Sequence, residues 1–230
     1  MRNLFNGMNR KASALLGAAL VMGVTATAAA ALFYVYPTYT YPLGRSYSTH
    51  AANWWKWALA QPADTSPLLD TTGAHCGQGQ SGLAWYLAGS WVGPVIRNCT
   101  IPAGKHLVFP IANMAYFAFE SDPAEQKTEA FLRAQVEEIK DATNLEVEID
   151  GVPVQNPERL FELSKIFSVT LGANNVLDLP AGFKLSPSVD AGYYVVMAPL
   201  LGGQHTIHFY AELPDGSVQD VTYNLNVRWW

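Results

Sequence analysis

From Leu83 onward the chain is written in short apolar runs divided by Gly and Pro, and this punctuation constrains the fold more than any other feature. Leu83–Leu87 stops at Ala88-Gly89, Val95–Cys99 follows Gly93-Pro94, and Ile101-Pro102-Ala103-Gly104 turns into Leu107-Val108-Phe109. Leu145-Glu146-Val147-Glu148-Ile149 alternates strictly, Asp150-Gly151 is a hairpin turn, and Val152-Pro153-Val154 returns. Phe167–Leu171, Tyr193–Ala198, His205–Leu213 and Val218–Val227 complete the series, the last two joined across Asp215-Gly216. Such spacing predicts antiparallel strands, and hence a mainly β chain: a single antiparallel β-sandwich of Ig-like or jelly-roll type.

Two helices decorate this pattern. Ser48 or Thr49 can cap one over residues 49–61, stopped by Pro62, with Ala51, Trp54, Trp55 and Ala58 on one stripe and Trp57 pointing away from it. Asp122 and Pro123 can open a second over 123–143, with Glu125 in a capping box, Leu132, Val136 and Ile139 inward, and an Arg133–Glu137 pair outward. Between the first helix and the strands, residues 63–82 are rich in Pro, Gly, Asp, Ser and Thr and read as a long loop.

Ahead of all this lies Ala12–Phe33, free of charge, preceded by Arg2, Arg10 and Lys11 and followed by Tyr34, Tyr36, Tyr39 and Tyr41. A basic start, an apolar middle and Ala26, Ala28 and Ala30 spaced for an A-x-A cleavage site form an export signal. As a helix the stretch is also long enough to cross a bilayer core of roughly 30 Å. Residues 1–31 are therefore a cleaved signal peptide or an uncleaved membrane anchor, and 32–46 a Tyr/Pro-rich connector. Residues 47–230 form the sandwich domain. Either way the mature chain works outside the cytoplasm, secreted or periplasmic, with residues 12–41 as its point of membrane association. In an oxidising compartment Cys76 and Cys99, the chain's only cysteines, pair as one disulfide.

Several classes of chemistry are disfavoured. A net charge of −5 and no basic stripe after Lys11 argue against nucleic acid as partner. No G-x-S-x-G elbow, H-E-x-x-H or C-x-x-C is present, so no catalytic set, metal site or cofactor is assigned. Glu146, Glu148 and Asp150 read as the wet face of a strand, because alternation turns Val147 and Ile149 to the core. His205 and His208 fall on opposite faces of one strand.

What remains is aromatic. Among seven tryptophans, Trp57 and the terminal Trp229-Trp230 are the exposed-contact candidates, and Trp57 or Trp91 could stack on a ligand. Asp70 and His75 in the long loop, with Lys105 after the Gly104 turn, make a polar cluster that could serve the same ligand. A glycan or an envelope protein is the expected partner.

Asn53-Trp54-Trp55-Lys56-Trp57, Trp85-Tyr86-Leu87-Ala88-Gly89, Cys99-Thr100-Ile101-Pro102-Ala103-Gly104-Lys105 and Gly203-Gln204-His205-Thr206-Ile207-His208-Phe209 occur in that order. Together they resemble a family of exported bacterial proteins with WW-x-W, WxLAG, C-x-[VI]-P-x-G-K and G-x-H-x-I-x-F segments. The resemblance implies export, the disulfide and a sandwich-like fold, and carries no catalytic residue with it. The expected function is binding or scaffolding at the cell envelope. The alternatives are a secreted hydrolase or carbohydrate-active protein with a site near Asp70, His75 and Lys105, and an accessory subunit of a membrane complex.

Overall fold

The computed structural model describes residues 33–229. The hydrophobic segment expected as signal peptide or anchor helix, and Trp230, lie outside the described residues. In chain order the elements are α1 (Tyr47–Leu59), β1 (Ala84–Tyr86), β2 (Val95–Pro102), β3 (His106–Phe117), α2 (Glu129–Gln135), β4 (Thr143–Ile149) and β5 (Val152–Pro153). Then follow β6 (Phe161–Leu163), β7 (Phe167–Thr170), β8 (Lys184–Met197), β9 (Gly203–Glu212) and β10 (Val218–Arg228).

The strands make two five-stranded sheets. One runs β1–β3–β8, with β6 and β7 both paired to the far side of β8; the other runs β2–β10–β9–β4–β5. The expectation of a purely antiparallel arrangement is corrected at two places, because β1 pairs with β3 and β2 with β10 in parallel. Parallel neighbours need a crossover rather than a tight turn. Here β2, which belongs to the other sheet, is the crossover between β1 and β3. No local turn signal marks such a pair, so the punctuation that reveals hairpins is blind to it.

Period-two burial builds the core between the sheets. Val95, Cys99 and Ile101 of β2, Ile207, Phe209 and Ala211 of β9, and Val221, Tyr223, Leu225 and Val227 of β10 are buried, while Ile96, Asn98 and Thr100 are exposed. Leu107, Phe109 and Ile111 of β3 meet them from the other sheet, with the Phe109 and Phe209 rings stacked at 5.1 Å. β3 and β8 are buried on both faces, so Val108, Leu185, Tyr194 and Val196 form a second core with Tyr47, Ala51, Trp54, Trp55 and Ala58 of α1. That double burial is why β8 reads as a near-continuous apolar run.

Both helices differ from their expected bounds. α1 starts two residues early because Ser46, not Ser48 or Thr49, accepts a hydrogen bond from the Thr49 N–H. The expected 123–143 helix divides into a 3₁₀ turn (Ala124–Lys127), α2, and a second 3₁₀ turn (Glu137–Asp141). Thr128 caps α2, whereas Asp122 accepts from the Phe119 N–H at 2.7 Å. Leu132, Val136 and Ile139 are buried as their spacing requires. Steps of four and three suit a helix turn followed by a 3₁₀ turn equally well, so periodicity did not expose the break at Val136 (φ −110°). Arg133 consequently pairs with Glu129 at 2.7 Å and Glu137 with Lys140 at 2.6 Å, replacing the expected Arg133–Glu137 pair.

The region expected as a connector is part of the folded unit. Val35 bridges Met197, and Tyr36 N–H and Ala198 N–H close backbone bonds to Val196 and Tyr34, both at 2.9 Å. Asp150 and Gly151, at φ +53° and +74°, make the hairpin turn their identities announce. Among the described residues no helix is long and apolar enough to cross a membrane.

Candidate functional site

A helix that docks one stripe on a core presents the opposite stripe outward, and α1 uses that second stripe. Asn53, Lys56, Trp57 and Ala60 stand at i, i+3, i+4 and i+7, and together they wall a cavity of about 790 Å³. Leu43, Arg45, Gln61, Gly79, Ser81, Gly82, Leu83 and Tyr86 complete the lining.

The opposite wall is held rigidly. The Cys76–Cys99 disulfide, with Cα atoms 6.0 Å apart, ties the long loop to β2. Gln80 then acts as a surrogate strand partner: its Oε1 accepts from the Tyr86 N–H at 2.9 Å and its Nε2 donates to the Tyr86 carbonyl at 2.8 Å. Lys105 Nζ donates to the Gly82 carbonyl, and the His106 N–H to the Leu83 carbonyl at 2.9 Å. Gly79, at φ +63°, sits against the Gln61 amide where a Cβ would collide. Leu43 holds φ +55°, a strained backbone for a branched residue, on the rim of the same cavity.

Trp57 is not the exposed contact residue expected of it. Its ring is only 6% exposed, because the long loop folds back over it and takes its Nε1–H on the Gln78 carbonyl at 2.9 Å. Tyr86, half-buried, stacks on Trp57 at 5.4 Å with the planes 27° apart, so the indole backs a tyrosine platform. Burial pushes the Tyr86 phenol up, and Arg45 opposes that shift from nearby. Neither Arg45 nor Lys56 has a carboxylate partner among the described residues, and no Asp or Glu lines the cavity.

The other expected site residues do not converge there. Asp70 and His75 line a smaller pocket of about 230 Å³, which Lys105 does not line. Asp70 is spent on its own loop, accepting from the backbone N–H groups of Thr72, Gly73 and His75 and from the Thr72 hydroxyl. Burial acts to raise its pKa, yet these donors, His75 and Thr72 foremost, hold it below the ordinary value. Trp91, 44% exposed, lines a third cavity of about 440 Å³ together with Trp55, Ser90, Asn113 and Gln219. Trp229 is 80% exposed. Among the described residues no group of three His, Cys, Asp or Glu is placed to hold a metal ion.

Two buried ionisable groups escaped the sequence reading. Arg97, 1% exposed, donates from Nε to the Asp70 carbonyl at 2.7 Å and from Nη1 to the carbonyls of Ala88 and Gly89 and to the Tyr223 hydroxyl. It clasps the long loop and the Ala88-Gly89 turn to β2. Asp190, fully buried on β8, accepts from Trp55 Nε1 at 2.5 Å and from the Tyr194 hydroxyl at 2.9 Å. Burial pushes its pKa up to about 7, against the hydrogen bonds from Trp55, Tyr194 and Asn113. The signal for both was a lone charge at an inward position of an apolar strand. The second stripe of α1 was legible on the same wheel that gave the first; Arg45 carried no signal at all.

No family model matches the chain, and no curated protein matches it. A chain of the solved structure described as "Structure of PbICP-C in complex with falcipain-2" is 11% identical, covering 64% of this chain and 100% of that one with a TM-score of 0.24. A likeness of that size carries no argument about fold or function.

Proposed function

We propose that this protein is an exported, extracytoplasmic two-layer β-sandwich that binds a small hydrophilic ligand in the cleft between α1 and residues 79–86. The observation that carries the reading is the cleft itself: about 790 Å³, within the range of small-molecule sites, with two cations that no carboxylate of the lining neutralises. Its walls are a helix and a disulfide-tethered loop, so the geometry is set before a ligand arrives. The Cys76–Cys99 bond fits an oxidising compartment, and the uncharged stretch 12–33 behind a basic start supports export. Binding rather than hydrolysis is favoured because the Asp70 carboxylate is already saturated by its loop.

Titrating the purified protein with oligosaccharides, nucleotides, amino acids and short peptides, read by tryptophan fluorescence and calorimetry, tests the site. Saturable binding of one class, weakened by Lys56→Ala, is the expected outcome; no saturable binding of any class sinks the reading. Amino-terminal sequencing of the native protein with fractionation tests export separately. A mature chain that still begins at Met1 in the cytoplasmic fraction would overturn it.

A further inference from the structure

We infer that the ligand of this cleft is an acidic carbohydrate, a sugar acid or an oligosaccharide carrying carboxylates. The inference rests on the cleft being a binding site and adds the chemistry of its occupant. Charge comes first: Arg45 and Lys56 line the cavity without an acid among its other wall residues, so a bound anion meets two uncompensated cations.

The remaining polar groups ask for hydroxyls rather than for a second charge. Gln61 donates its amide to the Trp57 carbonyl at 2.7 Å, which leaves its Oε1 as an acceptor at the cleft wall. Asn53 and Ser81 contribute groups that both donate and accept. The α1 residues at the wall, 53–60, run to the carboxyl end of the helix, where carbonyls point outward and the dipole is negative. Those carbonyls accept hydrogen bonds from sugar hydroxyls, and because the same end disfavours every anion, the carboxylate is held by Arg45 and Lys56 and not by the helix end. The Tyr86 ring, backed by Trp57, supplies the flat apolar platform on which a pyranose C–H face packs.

The test uses trigalacturonic acid, the neutral trisaccharide of galactose, and inorganic sulfate as probes of the full mature protein, by tryptophan fluorescence and calorimetry at two salt concentrations. Trigalacturonic acid should bind at least about tenfold more tightly than its neutral counterpart, and more weakly as salt rises. Arg45→Gln and Lys56→Gln should each cost it about tenfold while leaving the melting temperature in place. Equal binding of the acidic and neutral trisaccharides overturns the inference, as does sulfate binding as tightly as the sugar acid, since that describes a bare anion site. Failure of trigalacturonic acid alongside saturable binding of another ligand class removes the inference and leaves the cleft as a binding site. Failure of every class removes both.

Discussion

Replacing Asp190 by Asn should change how stability depends on pH, with little change in the folded structure. Asp190 is fully buried, and its hydrogen-bond partners Trp55, Tyr194, Asn113 and Ser164 are all neutral. Its folded pKa is about 7 against an ordinary value of 3.8, so between those values the folded chain holds a proton that the unfolded chain has released. Stability from this group is fully present below about pH 4, falls as pH rises toward 7, and is flat beyond. A shift of about three pH units corresponds to at most about 4 kcal/mol. Asn has the shape of the neutral acid and can still accept from the Trp55 indole, so it removes the titration and keeps the packing. Urea denaturation of both proteins at pH 5, 6, 7 and 8, followed by tryptophan fluorescence, isolates the residue because every other titrating group cancels. The stability of the Asn variant relative to the wild type should rise by about 2–3 kcal/mol between pH 5 and pH 8. A stability difference that stays constant from pH 5 to pH 8 would refute the reasoning.

Reducing Cys76–Cys99, or replacing both residues by Ser, should lower stability by about 3 kcal/mol and weaken ligand binding, since the bond anchors the wall that carries Tyr86. Calorimetric melting with a binding titration would show a loop anchored by other means if neither changed. Arg97→Met strands the carbonyls of Asp70 and Gly89, while Ala88 keeps the Tyr223 hydroxyl, and should cost about 2–5 kcal/mol in chemical denaturation; full stability would mean that the clasp is dispensable. Ser46→Ala should cost about 1 kcal/mol through the lost α1 cap, whereas Ser48→Ala should cost clearly less, a contrast that thermal melts can resolve.

Residue order alone determined whatever repeats over a few positions. Val147 and Ile149 had to face inward, Asp150-Gly151 had to turn, and Ala51, Trp54, Trp55 and Ala58 had to form a docking stripe, because strand and helix periods act on nearest neighbours. Tertiary structure decided the rest. The parallel pairing of β2 with β10, more than a hundred positions apart in the chain, answers to which strands share a core and not to any turn. Trp57 had the sequence signature of an outward residue, yet the disulfide-tethered loop closed over it and made it the backing of Tyr86. Arg45, Lys56 and Tyr86 meet for the same reason: each belongs to a different segment, and only the packing of α1 against the loop brings their charge and ring to one cleft. A cleft assembled from separate segments is a property of long-range packing, which local periodicity does not encode.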